Sequence, residues 1–383
     1  MEINNRGQKS GLEEHDMYIH SLELSHYRNY NHLSIEFDPG ITILYGDNAQ
    51  GKTNILEAIY ISGTTKSHRG SKDKDMIQFG EEESHIRLNI KKNDVGHRID
   101  MHLRKNKSKG VAVDGQSIKK SGELFGIVHM IFFSPEDLSI IKNGPSERRR
   151  FMDLELCQLN KVYHYNYVNY NKALNQRNTL LKQIAFQPGL KDTLDTWDLY
   201  LIEYGKCIIE EREHFIKKLN DILKNIHGHL TGGKESIEIG YEKNVTVEQY
   251  ETVMQSKREM DLRYQSTQTG PHRDDICFYI NGIDVRKYGS QGQQRTAALS
   301  LKLAEIELVK ELIHDTPILL LDDVMSELDH NRKNYLLDSI QDIQTIVTCT
   351  GYDDFIKSRL KINRIYQVTN GKVDIFKIDE ENS

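Results

Sequence analysis

Proline, paired cysteine and long apolar runs are scarce in this chain, and each absence excludes something. The 383 residues hold only 6 prolines and no Ser/Gly-rich tract, so a long flexible linker is not expected. No run approaches the ~18 consecutive apolar residues of a membrane-spanning helix, so no membrane association is expected. Cys157, Cys207, Cys277 and Cys349 are scattered and form no C-x-x-C pair. They suggest neither a cysteine zinc site nor a disulfide framework, and unpaired thiols fit a reducing cytoplasm. The opening "MEINNRGQKSGLEEHD" lacks an apolar stretch, so it does not read as a secretory signal. Residues 1–16 are expected as a disordered extension. A net charge of −6 gives no overall basic character, so any nucleic-acid surface has to be local.

What is present is enough for a real core. Hydrophobic residues make up 37% and charged residues 28%, and the length suggests two domains. Over residues 17–45, "YIHSLEL", "LSIEF" and "ITILY" read as strands. "NILEAIYISG" reads as a helix closed by Gly63, residues 85–113 as hairpin material, and "IVHMIFF" as a buried strand. From Ser146 to Gln183 the apolar spacing is helical throughout. "QPGLKD" interrupts it, and a second long helical stretch runs to "HGHL". These two helices suggest an antiparallel arm. After Gly270 strands and helices alternate again: "DICFYI", a helix over 291–313, "PILLLDD", a helix over 330–341, and "TIVTCT". The alternation predicts a largely parallel, doubly wound sheet. The expected architecture is an α/β head, split into 17–144 and 263–383, with a helical arm inserted at 145–262.

"GDNAQGKT" (Gly46, Asp47, Asn48, Ala49, Gln50, Gly51, Lys52, Thr53) matches the P-loop pattern G-x-x-x-x-G-K-[ST] between an apolar strand and a helix. Loop and helix N–H groups are expected to cradle phosphates, Lys52 to reach the β- and γ-phosphates, and Thr53 to hold Mg²⁺. Asp322 and Asp323 follow the apolar strand "ILLL", where ligands bind in such sheets. Asp322 is placed for the Mg²⁺ shell and Asp323 for polarising the attacking water. In "YGSQGQQR" (288–295), Ser290 can cap a helix whose free N–H groups, with Gly292 and Gln293, suit an anion.

This last stretch resembles the signature loop of ABC-type ATPases, which reads the γ-phosphate across a dimer interface, and "SELD" (326–329) resembles their D-loop. More specific are "YRNY", "KSHRGSKDKDMI", "SPEDL…PSERRRFMD" and "TGPHRDD", in this order between residues 17 and 350. With the P-loop and "LLLDDVMSELD" they make the chain similar to the RecF family of bacterial recombination-mediator ATPases, related to SMC proteins. That resemblance implies an ABC-type head with a helical lobe and an ATP-dependent homodimer. It implies DNA binding, at junctions of single and double strand, and cooperation with RecO and RecR in loading RecA. Asp323 stands where most ABC ATPases have Glu. A carboxylate one methylene shorter fits slow hydrolysis, with ATP acting as a dimerisation switch. The sequence identifies no Q-loop glutamine, and Thr348 and Thr350 lie where a switch histidine is sought.

Two other readings are weaker. A transporter ATPase needs a signature nearer to Leu-Ser-Gly-Gly-Gln, and an ATPase-linked nuclease needs a further metal domain for which too little chain follows Thr350. For DNA, residues 97–120 carry seven basic residues (Arg98, Arg104, Lys105, Lys107, Lys109, Lys119, Lys120) against Asp100 and Asp114. Such a hairpin edge can track phosphates or simply stay solvated. Arg148, Arg149 and Arg150 fall on different helix faces, so at least one is expected to pair internally. "PHRDD" (271–275) is expected as a structural or interface loop near the nucleotide, and the tyrosines of "YHYNYVNYN" as packing.

Overall fold

Four apolar runs that end at one edge of a sheet organise the head. The computed structural model describes residues 17–92, 95–351 and 362–376. The tract 1–16, expected as disordered, lies outside the described residues. The central sheet has the order Lys372–Ile375, Ile362–Thr369, Ile41–Tyr45, Thr345–Cys349, Ile318–Asp322, Met130–Phe133. Its neighbours are parallel except at the edge hairpin 362–375. The strands Ile41–Tyr45, Thr345–Cys349, Ile318–Asp322 and Met130–Phe133 are buried almost throughout, which is why they read as continuous apolar runs rather than alternating ones. Their register sets Tyr45 beside Cys349, Thr348 beside Asp322, and Leu321 beside Phe133. The loops after all four strands therefore share one edge.

A second, antiparallel sheet runs Tyr30–Glu36, Met17–Tyr27, Glu83–Lys92, Val95–Arg104, Gly110–Val113, Gln116–Ser117. Its strands alternate buried and exposed residues. The buried face, with Leu22, Ile86, Leu88 and Met101, shares a core with Ile55, Leu56 and Ile59 of the helix Lys52–Thr64. That helix is apolar on nearly every side because it is covered on nearly every side. It does not close at Gly63. Thr65 takes the left-handed cap conformation (φ 65°), and Gly63 instead lets the helix approach Met130, whose Sδ would lie 2.7 Å from an added Cβ.

The arm departs from the sequence expectation in two places. The first helical stretch is two helices, Pro145–Leu159 and Lys161–Ile184. Between them Asn160 leaves helical geometry (φ −137°, ψ 107°), and its side chain accepts from the N–H groups of Val162 and Tyr163. The helix Leu194–Thr231 runs antiparallel to Lys161–Ile184, since Asn160, Tyr165 and Arg177 meet Glu211, Tyr204 and Asp198 in turn. The segment 145–262 is also not wholly helical. Its strand Ile237–Glu242 pairs with Asp275–Ile280, which carries the short strand Ile283–Asp284 on its other side.

Buried ion pairs tie arm to head. Arg212 reaches Asp153 (2.6 Å), Asp274 (3.1 Å) and the Pro271 carbonyl (2.8 Å). Arg148 makes a two-pronged contact with Asp275 at 2.7 and 2.8 Å. Of the "RRR" run Arg148 thus forms the internal pair, while Arg149 and Arg150 donate to backbone carbonyls. Removing one member strands the others without water, so Arg212→Leu is expected to lower unfolding stability by about 3–5 kcal/mol. Denaturant titration checks this, and a change below about 1 kcal/mol would show that the cluster does not hold the joint.

Candidate functional site

The loop after Ile41–Tyr45 turns only because its glycines allow it. Gly46 has φ 153°, and an added Cβ would stand 2.3 Å from the Val368 carbonyl oxygen. Gly51 has φ 113° and would place a Cβ 2.5–2.9 Å from Asn29 and Tyr30. The loop is held from outside: Asn29 Nδ2 and the N–H of Gly371 donate to the Gln50 carbonyl at 3.1 and 3.2 Å. The N–H groups of Gly51, Lys52 and Thr53 have no acceptor among the described residues. Free donors at a helix N-terminus, with its positive dipole end, make an anion site.

Lys52 folds back onto this loop, donating to the carbonyls of Gly46 (2.5 Å) and Asp47 (2.7 Å). Burial lowers its pKa, opposed by Asp323 and Asp322. Thr53 Oγ1 donates to Asp322 Oδ1 at 2.8 Å, and Thr348 Oγ1 donates to the same oxygen at 2.7 Å. Asp323 takes a left-handed backbone (φ 52°) and sends its N–H to Thr348 Oγ1 at 3.0 Å. Its carboxyl titrates above the ordinary range because of burial and then the charge of Asp322.

A cavity of about 360 Å³ collects Asn48, Ala49, Gln50, Gly51, Lys52, Thr53, Asp322 and Asp323. Gly46 and Asp47 enter through the carbonyls that hold Lys52. The same cavity is lined by Thr348, Ser134, Glu136 and Arg69, none of which the motifs had marked as site residues. Thr348 and Glu136 each follow or end a strand beside that of Asp322. The signal was "TIVTCT" and "FFSPED", but strand adjacency is not written locally. Arg69 lies in "KSHRGSKDKDMI", a stretch that marks the family but does not by itself assign the arginine to the cavity.

Ser290, Gly292 and Gln293 do not line this cavity. Ser290 caps the helix Gln291–Ile313: Gln293 N–H donates to Ser290 Oγ (3.2 Å), and Ser290 N–H to Gln293 Oε1 (2.9 Å). Ser290, Gln291 and Gly292 are exposed, beside Tyr288 at 75% exposure. The "PHRDD" loop is not beside the P-loop. His272 accepts or donates at Tyr170 Oη (2.6 Å), and Asp274 lies in the Arg212 cluster at the arm. Asp274 and Asp275 of the motif pair with Arg212 and Arg148. In the basic hairpin Arg98, Lys105 and Lys109 are paired with Asp100, Glu82 and Asp73. Lys107, Lys119 and Lys120 have no ion pair among the described residues.

This fold and loop define a P-loop head of the SMC class. A family profile described as "RecF/RecN/SMC N terminal domain" matches residues 18–374. The chain belongs to that family and, within it, to RecF. The DNA replication and repair protein RecF of Lachnoclostridium phytofermentans is 61% identical, over 94% of this chain and 99% of the relative. That of Lachnospira eligens is also 61% identical, over 93% and 99%. A solved structure of the recombination mediator protein RecF with ATP, of the RecFOR pathway, superposes with a TM-score of 0.87 at 36% identity, covering 96% of this chain and 100% of that one. The Smc head domain of Pyrococcus furiosus, at 16% identity and TM-score 0.56, shares the fold. A transporter subunit is not favoured.

Two outcomes follow from the site's packing. Gly51→Ala is expected to cost about 1–3 kcal/mol, because it forces a left-handed Cβ against Asn29 and Tyr30. It should weaken triphosphate binding in a fluorescent-nucleotide titration. His68 stacks on Phe132 at 3.7 Å, and burial lowers its pKa to about 3. The imidazole is neutral when folded and protonates near 6.5 when unfolded. Its contribution is complete above that value and is lost as pH falls from 6.5 toward 3. Urea titrations should therefore show about 2 kcal/mol more loss from pH 7 to pH 5 in the native chain than in His68→Gln.

Proposed function

We propose that the chain is an ATP-dependent, DNA-binding mediator of recombinational repair that uses nucleotide to close a homodimer. The observation that carries this is the set of free N–H groups at Gly51–Thr53 beside the Asp322 carboxylate, in a family for which a RecF structure with ATP has been solved. Lys52 would exchange the carbonyls of Gly46 and Asp47 for phosphate oxygens. Thr53 and Asp322 already meet at 2.8 Å and fit a hard cation through oxygen donors. Mg²⁺ held there would neutralise phosphate charge. Asp323 would orient the attacking water, and its shorter reach suits a slow, DNA-stimulated hydrolysis that resets a switch.

Ser290, Gly292 and Gln293 lie outside their own chain's cavity, with Ser290 and Gly292 exposed and Gln293 half-buried. In our reading they contact the triphosphate held by a second copy. The closed dimer then holds double-stranded DNA at gap edges in the cytoplasm and works with RecO and RecR to load RecA, within the SOS response.

Light scattering after size exclusion, with ATP, ADP or neither, tests the coupling. The native chain should dimerise with ATP alone, and Lys52→Arg should not. Ser290 also caps its helix, so Ser290→Asp is the informative change. Asp keeps the cap but repels a facing triphosphate. The ATP dimer should be lost while the single chain still binds ATP. An intact ATP dimer in this variant would refute the trans contact.

A further inference from the structure

The outer face of the antiparallel sheet carries a cluster that the nucleotide site does not use. Ile86, Leu88, Met101 and Leu103 point into the core, so period-two alternation turns Glu83, His85 and His102 outward. His85 and His102 are direct partners across the strands Glu83–Lys92 and Val95–Arg104. Their rings stack at 4.1 Å with an interplanar angle of 21°. Glu83 lies two residues before His85 on the same face. Its Oε2 is 2.8 Å from His102 Nε2, and its Oε1 is 3.9 Å from His85 Nε2. One ligand atom from each residue falls within 4.8 Å of the other two.

We propose that Glu83, His85 and His102 form a binding site for a divalent d-block cation of the zinc class, separate from the P-loop. A tetrahedral ion with bonds of about 2.0–2.1 Å sets its donors roughly 3.4 Å apart. The two carboxylate–imidazole distances, each to a different oxygen of Glu83, lie on either side of that value, and rotation of the stacked rings about their side-chain torsions would turn both nitrogens toward one ion. Two imidazoles and one carboxylate suit zinc, cobalt or nickel, and do not suit magnesium, which selects oxygen donors. His85 and His102 line a hollow of about 360 Å³ together with His32 and Asp100, which leaves room for water beside the two imidazoles. Both strands are paired on both sides within the sheet, so the triad rests on a rigid base.

The test uses the full chain, nucleotide-free and stripped with chelator. Zn²⁺ is titrated by calorimetry, and Co²⁺ by its visible absorption. One saturable site per chain with a tetrahedral cobalt spectrum is expected, unaffected by excess Mg²⁺. His85→Ala and His102→Ala should abolish it, and Glu83→Gln should weaken it by at least about tenfold. His32→Ala should leave it unchanged. Zn²⁺ should raise the melting temperature of the native chain and not of the histidine variants, whose metal-free melting shows that they fold. Absence of saturable binding overturns the proposal. So does binding that survives His102→Ala, or that is lost in Cys277→Ser, which would place it at Glu242, Asp275 and Cys277 instead.

Discussion

One carboxylate oxygen, Oδ1 of Asp322, receives hydrogen bonds from Thr53 and from Thr348. Those hydroxyls stand on the helix after the P-loop and on the strand between the P-loop strand and that of Asp322. The contact therefore joins three consecutive parts of the sheet edge at a single atom. It exists because the parallel register brings Thr348 beside Asp322 and because Thr53 opens the neighbouring helix. A one-residue slip in any of these strands would turn the donors to the other face. The P-loop, the second aspartate and the loop of Glu136 all take their places from this alignment.

The arm is fastened by a different kind of interaction. Arg148, Arg177 and Arg212 are fully buried, each facing carboxylates contributed by distant parts of the chain. Buried pairs of this sort add less to net stability than hydrophobic packing would, yet each is costly to break singly. Those of Arg148 and Arg212 define where the arm meets the head, while Arg177, facing Asp198 and Asp261, fixes the arm internally. A comparable group, Lys302 with Glu305 at 2.7 Å, sits inside the helix that Ser290 caps. Burial raises the pKa of both Glu155 and Glu305, reinforced at Glu155 by the charge of Glu305 and opposed at Glu305 by Lys302. The helix Gln291–Ile313 is thus packed through charge as well as through its apolar side.

Much of the head was legible in the chain because its elements are local. An apolar run bounded by glycine makes a strand, and "GDNAQGKT" between strand and helix makes an anion-binding turn, whatever the rest of the molecule does. The misreadings also have local causes. Gly63 was taken for a helix end, but it is a point of close approach to Met130, visible only once the helix packs on that strand. The unbroken helical spacing through Asn160 hid a cap, since periodicity reports faces and not hydrogen bonds. "PHRDD", expected as a structural or interface loop near the nucleotide, is a structural loop whose aspartates pair with Arg148 and Arg212 at the arm joint.

By itself the sequence determined the P-loop, the paired aspartates, the capped helix at Ser290 and the family to which these motifs belong. These depend on residue types at short, set spacings. Tertiary structure alone decided that Thr348, Glu136 and Arg69 share the cavity with Lys52, that the Ser290 turn stays outside it, and that His85 meets His102. Those facts depend on which strands are neighbours and in what register. That is settled by burial over the whole domain and not by any short stretch of the chain.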